Sequence, residues 1–403
     1  MSLMPFDEAR ARTLERVRPL GETERVALGA ALGRVLSAPV LAPADVPNHD
    51  NSAMDGYAVR FDDLDAGGET VLSLAGVVAA GAEANAVLGP GQALRIFTGA
   101  PIPEGSDCVV IQEVVRRDGD RVIVPAGQKR HQYVRRAGQD IAAGAEVFAA
   151  GRRLGPAEIG MLTSLGLTEV ELFRRLRVAV LSTGNEVQAP GRPIAPGQLY
   201  DSNRATLIAA LTALGVEVID LGIARDERAE IEAGLRRGAA EADVVLTSGG
   251  VSVGDFDLVK DVIDELGAID FWKVRMKPGK PQAHGRLGGA EFFGLPGNPV
   301  SVMVTYLLLV RPALLRMMGA DPGGVKSLRL PYRGAPIHKR HDRAEFIRAV
   351  IHFDGAEAHV TSTGAQGSGI LSSMAAANAF IALPEAPVDL AEGDLVTVIP
   401  IEY

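Results

Sequence analysis

The chain has 403 residues, of which 47% are hydrophobic and 23% charged, and its net charge is −9. A single core does not fill that length, so two to four domains are expected. The acidic balance argues against broad nucleic-acid binding, and a small anionic substrate would need a local basic patch. In chain order, residues 5–40 predict helix, because "FDEARARTLERV" and "ERVALGAALGRVLSAPV" space apolar groups three and four apart. From 47 to 145, short Val/Ile/Leu runs alternate with Gly, Pro, Asp and Asn, the pattern of a small all-β domain. "GPAEIGMLTSLGLTEVEL", near 155–172, returns to helix. From 175 to about 320, strands such as "RLRVAVLSTG", "VEVIDLGIA" and "DVVLTSGG" alternate with helices such as "NRATLIAALTALG" and "DLVKDVIDELG". That alternation predicts a doubly wound, mostly parallel sheet covered on both faces. The tail again reads as strands. The expected division is a helical linking domain from 5–46 and 146–174, a β-rich domain over 47–145, an α/β domain over 175–325 and a C-terminal, barrel-like β domain over 326–403.

The single cysteine, Cys108, excludes an intrachain disulfide, a zinc knuckle or an iron–sulfur site. It lies in the apolar run "SDCVVIQE" and reads as a small core residue. The seven histidines form no HxH or HxxxH pair, so a histidine metal site is not expected. No apolar run reaches the roughly 18 residues that span a bilayer. "VSVMVTYLLLV" stops at Arg311 and Pro312 and reads as a buried helix. The first residues lack a basic segment followed by an apolar one, so a cytoplasmic protein without membrane contact is expected.

Three polar clusters close predicted strands: "STGNE" (182–186), "TSGGVSVGDFD" (247–257) and "GLPGNPVS" (294–301). In a doubly wound sheet, ligands bind beyond the carboxyl ends of the strands. Ser248, Gly249, Gly250 and Ser252 supply hydroxyls and exposed amides suited to an anion. Asp255 and Asp257 follow, and two oxygen ligands suit Mg²⁺ bridging to phosphate. A plain alternative is that Asp257 caps the next helix. "KVRMKPGKP" (273–281) gathers Lys273, Arg275, Lys277 and Lys280 in an acidic chain, which suggests an oxyanion site, against a merely solvated face. The β-rich region adds "DNSAMDGYAVR" (50–60), "FTGAPIPEG" (97–105) and "YVRRAGQDI" (133–141), a second polar surface without a catalytic set of its own. Walker and dinucleotide-binding signatures are missing.

Taken in order, "DNSAMDGYAVR", "FTGAPIP", "RRAGQDI", "STGNE", "YDSN", "SGGVSVGDFD", "KPGKP" and "GLPGNPVS" make the chain similar to the MoeA family, the molybdopterin molybdenumtransferases, whose eukaryotic relatives include the gephyrin E domain. The resemblance runs from about residue 5 to the C-terminus. It implies an enzyme that takes adenylylated molybdopterin and molybdate as substrates, with Mg²⁺, and releases AMP. It also implies an elongated homodimer whose active site is shared between subunits, and transient contact with other proteins of the same biosynthesis.

Carried over by position, the resemblance gives Asp55, Asp140, Glu186, Asp226 and Asp257 as catalytic, with Glu186 and Asp257 as metal ligands. It gives Thr98, Arg135, Ser248, Gly249, Gly250, Ser252, Lys273, Lys277, Pro296 and Pro299 as substrate-binding. It gives Lys277, Lys280, Arg348 and Ser368 as the molybdate pocket, with Ser372 or Ser373 as substitutes for Ser368. Asn185 and Asp255 stand where many relatives have Asp and Glu. Two other readings are a scaffold, as gephyrin's related domain binds receptor peptides, and a pterin carrier that never cleaves its ligand.

Overall fold

The structure is a computed structural model that describes residues 3–81, 86–250 and 258–402. The chain forms two compact units: Met1–Ser37 with Gly151–Gly155 and Glu171–Tyr403, and Ala38–Ala150 with Pro156–Val170.

The smaller unit is β-rich, as its short apolar runs predict. Its six-stranded sheet runs Cys108–Ile111, Gly56–Val59, Gln92–Ile96, Thr70–Val78, Arg121–Val124 and Arg116–Asp118. Period-two alternation gives the sheet two apolar faces. Tyr57, Val59, Cys108 and Val110 pack on one, Ala58, Leu94, Ile96 and Val109 on the other. Cys108 is fully buried, and burial pushes its thiol up to about 11, so it is a core residue and not a nucleophile.

In the larger unit, the α/β domain has β1 (Arg177–Thr183), α1 (Ser202–Leu214), β2 (Glu217–Ala224), α2 (Arg228–Glu241), β3 (Val244–Ser248), α3 (Leu258–Leu266), β4 (Gly267–Lys273), β5 (Pro281–Leu287) and β6 (Ala290–Leu295). The strand order is β2-β1-β3-β6-β5-β4. The first four strands are parallel, and β5 and β4 are antiparallel additions at one edge. The sheet is covered on both faces. Val178 and Val180 of β1 pack with Leu207 and Leu211 of α1, and with Tyr306 and Val310 of the long helix Pro299–Met317. Ala179 and Leu181 point the other way, onto Ile231 and Leu235 of α2 and Val262 of α3. Pro299–Met317 is long and apolar enough to cross a membrane, but 89% of its apolar window is buried in the protein, which makes it a core helix.

Three sequence expectations change. "ERVALGAALGRVLSAPV" is not helical: Thr23–Ala27 is a strand that pairs with the strand ending at Phe173, and Leu28–Ala30 is a single 3₁₀ turn. Two glycines and tertiary pairing outweigh the helical spacing. The 155–172 helix stops at Ser164, before Gly166 at φ +75°, and the chain then forms a strand over Glu169–Phe173. "PQAHGRL" was not expected as a strand and is β5.

The C-terminal sheet orders Met276–Lys277, Ala344–Asp354, Ala379–Leu383, Leu395–Pro400 and Leu328–Pro331, with Glu357–Ser362 paired to Ala344–Asp354. A lone bridge joins Tyr332 to Val360.

Candidate active site

β1 leads through α1 to β2 on one side, whereas the chain leaves β3 toward the other side. The crevice between the carboxyl ends of β1 and β3 is therefore a topological switch point, where open α/β sheets bind ligands. A cleft of about 370 Å³ opens there, large enough for a nucleotide-sized ligand. Ser182, Glu186, Asn203, Ser248, Gly297 and Pro299 are among its lining residues.

The loops after β1, β3 and β6 are built around one another. Gly184 sits at φ +137°, and a Cβ there would lie 2.6 Å from the Glu186 carboxylate, so only glycine lets that side chain fold back over the loop. Gly249 has φ +91°, and its Cβ would meet the Thr183 carbonyl at 2.9 Å. Asn203, on the first turn of α1, donates from Nδ2 to Ser248 Oγ at 2.8 Å and to the Gly297 carbonyl at 2.7 Å. One side chain thus ties the β3 and β6 loops to α1. Asp201 caps α1, accepting from the Arg204 backbone N–H and side chain. Pro299 begins the core helix, where its missing N–H costs nothing. Pro296 is buried just before it.

The carboxylates divide by what they hold. Asp226 and Asn185 exchange backbone-to-side-chain bonds of 3.1 and 3.2 Å, which braces the loop that carries Glu186. Glu186 has no hydrogen bond or ion pair to its side chain among the described residues and lines the cleft. Asp257, Asp255 and Ser252 lie outside the described residues, while Gly250 is described at φ +69°. Among the described residues no three His, Cys, Asp or Glu side chains cluster. Among its described residues the cleft offers one unpartnered carboxylate and several hydroxyls. That oxygen set fits Mg²⁺, which takes one or two protein carboxylates and relies on phosphate and water for the rest.

The basic residues sit elsewhere in this unit and do not line the cleft. Lys273 ends β4, and Lys280 is exposed. Lys277 Nζ is 2.7 Å from Glu345 Oε1, and His341 Nε2 is 3.1 Å from Glu345 Oε2. Arg348 is only 1% exposed. Its guanidinium donates to Ser373 Oγ at 3.1 Å and to the Gly367 carbonyl at 3.0 Å, and burial pulls its pKa down. Arg348 therefore shapes the 363–370 loop. The Ser368 carbonyl in that loop accepts from Val300 N–H at the start of the core helix, and Gly369 and Leu371 reach the cleft wall.

In the smaller unit, three motifs fold onto one another. Thr98 donates to Asp55 Oδ1 from both its N–H and Oγ1, each at 2.8 Å. These two bonds, with the Arg95 charge, hold the Asp55 carboxyl below the usual range. Asp50 accepts from Arg136 Nη1 at 3.1 Å and from Ala137 N–H at 2.8 Å. The Asn51–Ser52 strand pairs with Val134–Arg135, leaving Arg135 exposed. The glycine of "AMDGYA" is obligatory, because a Cβ on Gly56 would lie 2.1 Å from the Val110 carbonyl. Asp140 borders a groove with Glu146, Phe148 and Met161, apart from Asp55 and Thr98 in the fold of this unit.

Asn203, Ser182 and Asp201 were not singled out from sequence. The "YDSN" stretch before α1 was the available signal: an Asp cap followed two residues later by an amide facing a strand end.

Three family models match the chain. They are described as MoeA N-terminal region (domain I and II), over residues 4–166, probable molybdopterin binding domain, over 179–316, and MoeA C-terminal region (domain IV), over 333–401. A protein of Haemophilus influenzae named molybdopterin molybdenumtransferase is 39% identical, over 100% of this chain and 99% of its own length. The chain belongs to the MoeA family. The Dictyostelium discoideum gephyrin is 31% identical over 99% of this chain and 62% of its own length. A solved MoeA protein from Pyrococcus horikoshii OT3 superposes with a TM-score of 0.86 at 28% identity, covering 99% of this chain and 100% of that one.

Proposed function

We propose that this MoeA-family chain is a molybdopterin molybdenumtransferase: it takes molybdate and adenylylated molybdopterin and releases AMP. The observation that carries this reading is the cleft at the switch point, with the unpartnered Glu186 beside buried hydroxyls and glycine-built loops. A phosphoanhydride beside a carboxylate is repelled unless a cation bridges them. Glu186, with Asp257, would hold Mg²⁺ there, and the metal would supply charge neutralisation and polarisation of the phosphate. Asn203 spends both amide hydrogens on Ser248 and Gly297 and so positions the loops, and backbone amides that those loops expose bind the phosphate. The attacking oxygen comes from molybdate or water, since no activated serine or cysteine stands among the described residues of the cleft.

Lys277, Lys280, Arg348 and Ser368 form the proposed molybdate side of the site, with Arg348 holding the loop and Lys277 released from Glu345. Lys273, Arg135, Thr98 and Asp140 contact substrate or order the loops that do. The chain divides in this reading into four domains and works in the cytoplasm, and the Tyr332–Val360 bridge supports a barrel-like C-terminal domain. The enzyme acts as a homodimer in which the small β-rich domain of one subunit closes over the α/β domain of the other. The polar surface around Asp55 and Thr98, which has no complete site of its own, supports that arrangement.

The deciding experiment is AMP release from adenylylated molybdopterin with and without molybdate. Molybdate-dependent release supports the transferase. Binding without cleavage identifies a carrier, and neither binding nor cleavage points to a scaffold. Co-expression of Asp55→Ala with Asp257→Ala, each inactive alone, then tests the shared site. Random pairing restores about a quarter of all sites if the two residues come from different subunits, and none if they share a chain.

A further inference from the structure

A second cavity in the larger unit lies away from the cleft and has about 90 Å³ of space. Arg10 on the Phe6–Arg16 helix, Arg311 on the core helix and Lys326 in the following loop line it, with Leu308, Phe380 and Ile399 as apolar walls. Among the described residues Glu402 is the one acidic lining residue, and it is already paired with Lys326 Nζ at 3.2 Å. Arg10 donates from Nη2 to the Gly323 carbonyl at 2.9 Å, and its Nε is buried without a partner. Arg311 has no hydrogen bond or ion pair among the described residues, and its Nε is likewise buried without a partner.

Two guanidinium groups without carboxylate partners among the described residues therefore border an apolar-walled cavity in a chain of net charge −9. Buried charge is ordinarily paired or bound to an ion, because desolvation without a partner is costly. Unpartnered buried donors of this kind call for an ion or water. The space admits a few waters or one small anion, and it is too small for a nucleotide. The planar donor fork of arginine matches an oxyanion better than it matches chloride.

We infer that this cavity is a binding site for a small tetrahedral oxyanion, held between Arg10 and Arg311. Inorganic phosphate, sulfate and molybdate share that chemistry. The bound dianion bridges the Phe6–Arg16 helix to the core helix and so stabilises the docking of the N-terminal helix.

The test is thermal unfolding of the full chain titrated with phosphate, sulfate or molybdate, each against sodium chloride at equal ionic strength. A specific site raises the midpoint with the logarithm of anion concentration, beyond the chloride control. The extra rise is expected to disappear in Arg311→Met and to shrink in Arg10→Met. Amide exchange across Phe6–Arg16 is expected to slow on saturation in the wild type alone. A rise with molybdate only assigns the site to the reaction's substrate, and equal rises with all three anions assign it to oxyanions generally. Equal rises in the wild type and both variants, or in chloride, overturn the inference. Should one variant fail to fold, the other still decides.

Discussion

Asp55 in the smaller unit and Glu186 in the larger both belong to short glycine-containing motifs, yet their carboxylates live differently. Asp55 accepts two hydrogen bonds from Thr98 and helps hold three motif loops together. Glu186 is folded back over Gly184 and keeps its oxygens free beside a ligand-sized cleft. The difference teaches that motif carboxylates are of two kinds, those that build the loop and those that the loop presents. Asp226, Asp201 and Asp50 belong with Asp55 by their partners. Among the described residues of the cleft, Glu186 stands apart.

The comparison breaks most directly at Glu186. Because no partner among the described residues is lost, Glu186→Gln should leave the thermal midpoint near that of the wild type. Its rate of AMP release should fall by about 100-fold or more, as for removal of a group acting on the reacting atoms. A variant with wild-type turnover would move Glu186 into the group of loop builders.

Arg348 sharpens the same contrast among the cations. The family resemblance assigns it to molybdate, while its observed bonds go to Ser373 and two loop carbonyls. Arg348→Met leaves those acceptors without a donor and should destabilise the protein by about 2 kcal/mol. Denaturant unfolding gives that number, and molybdate titration of the folded fraction gives the rest. A raised molybdate requirement without lost stability would show that ligand contact, not loop building, dominates at this position.

Much of this was legible in the sequence. The α/β alternation from 175 onward was plain because parallel strands buried on both faces are continuous apolar runs, as in "RVAVLST". The motif glycines were equally readable, since Gly56 and Gly184 stand where a Cβ would strike neighbouring atoms. The 24–40 segment reads as helix because Val26, Leu28 and Leu32 mimic helical spacing, and a strand that pairs far along the chain leaves no local signature. Spacing also could not distinguish builders from presented groups. Asp226 and Glu186 look alike in sequence, and only their partners tell them apart.

A smaller effect probes how the loop brace acts on the cleft. Asn185 Oδ1 accepts from Asp226 N–H, and Asn185 N–H donates to Asp226 Oδ2. Asn185→Asp keeps an acceptor at the first position, so AMP release should stay within about threefold of the wild type. Asn185→Ala removes it and should cost about 1 kcal/mol of stability. Equal behaviour of the two variants in unfolding would mean that the brace does not depend on this side chain.

The finest test lies in the protonation of Asp55. Its folded-state pKa is lowered, first by the Thr98 N–H, then by the Thr98 hydroxyl, with a further contribution from Arg95. A depressed carboxylate pKa means that folding favours the anion. The associated stability is present above the ordinary Asp range and fades as the pH falls through the folded-state value. Thr98→Val deletes the hydroxyl donor and keeps the backbone donor, so the Asp55 titration should move part of the way back toward the ordinary range. Carboxyl-carbon NMR of selectively labelled aspartate reads that movement directly. Asp55→Asn should abolish the corresponding part of the acid-side loss of stability. If Thr98→Val leaves the Asp55 titration where it was, the hydroxyl is not holding the carboxylate. The contrast with Glu186 would then rest on the backbone bond alone.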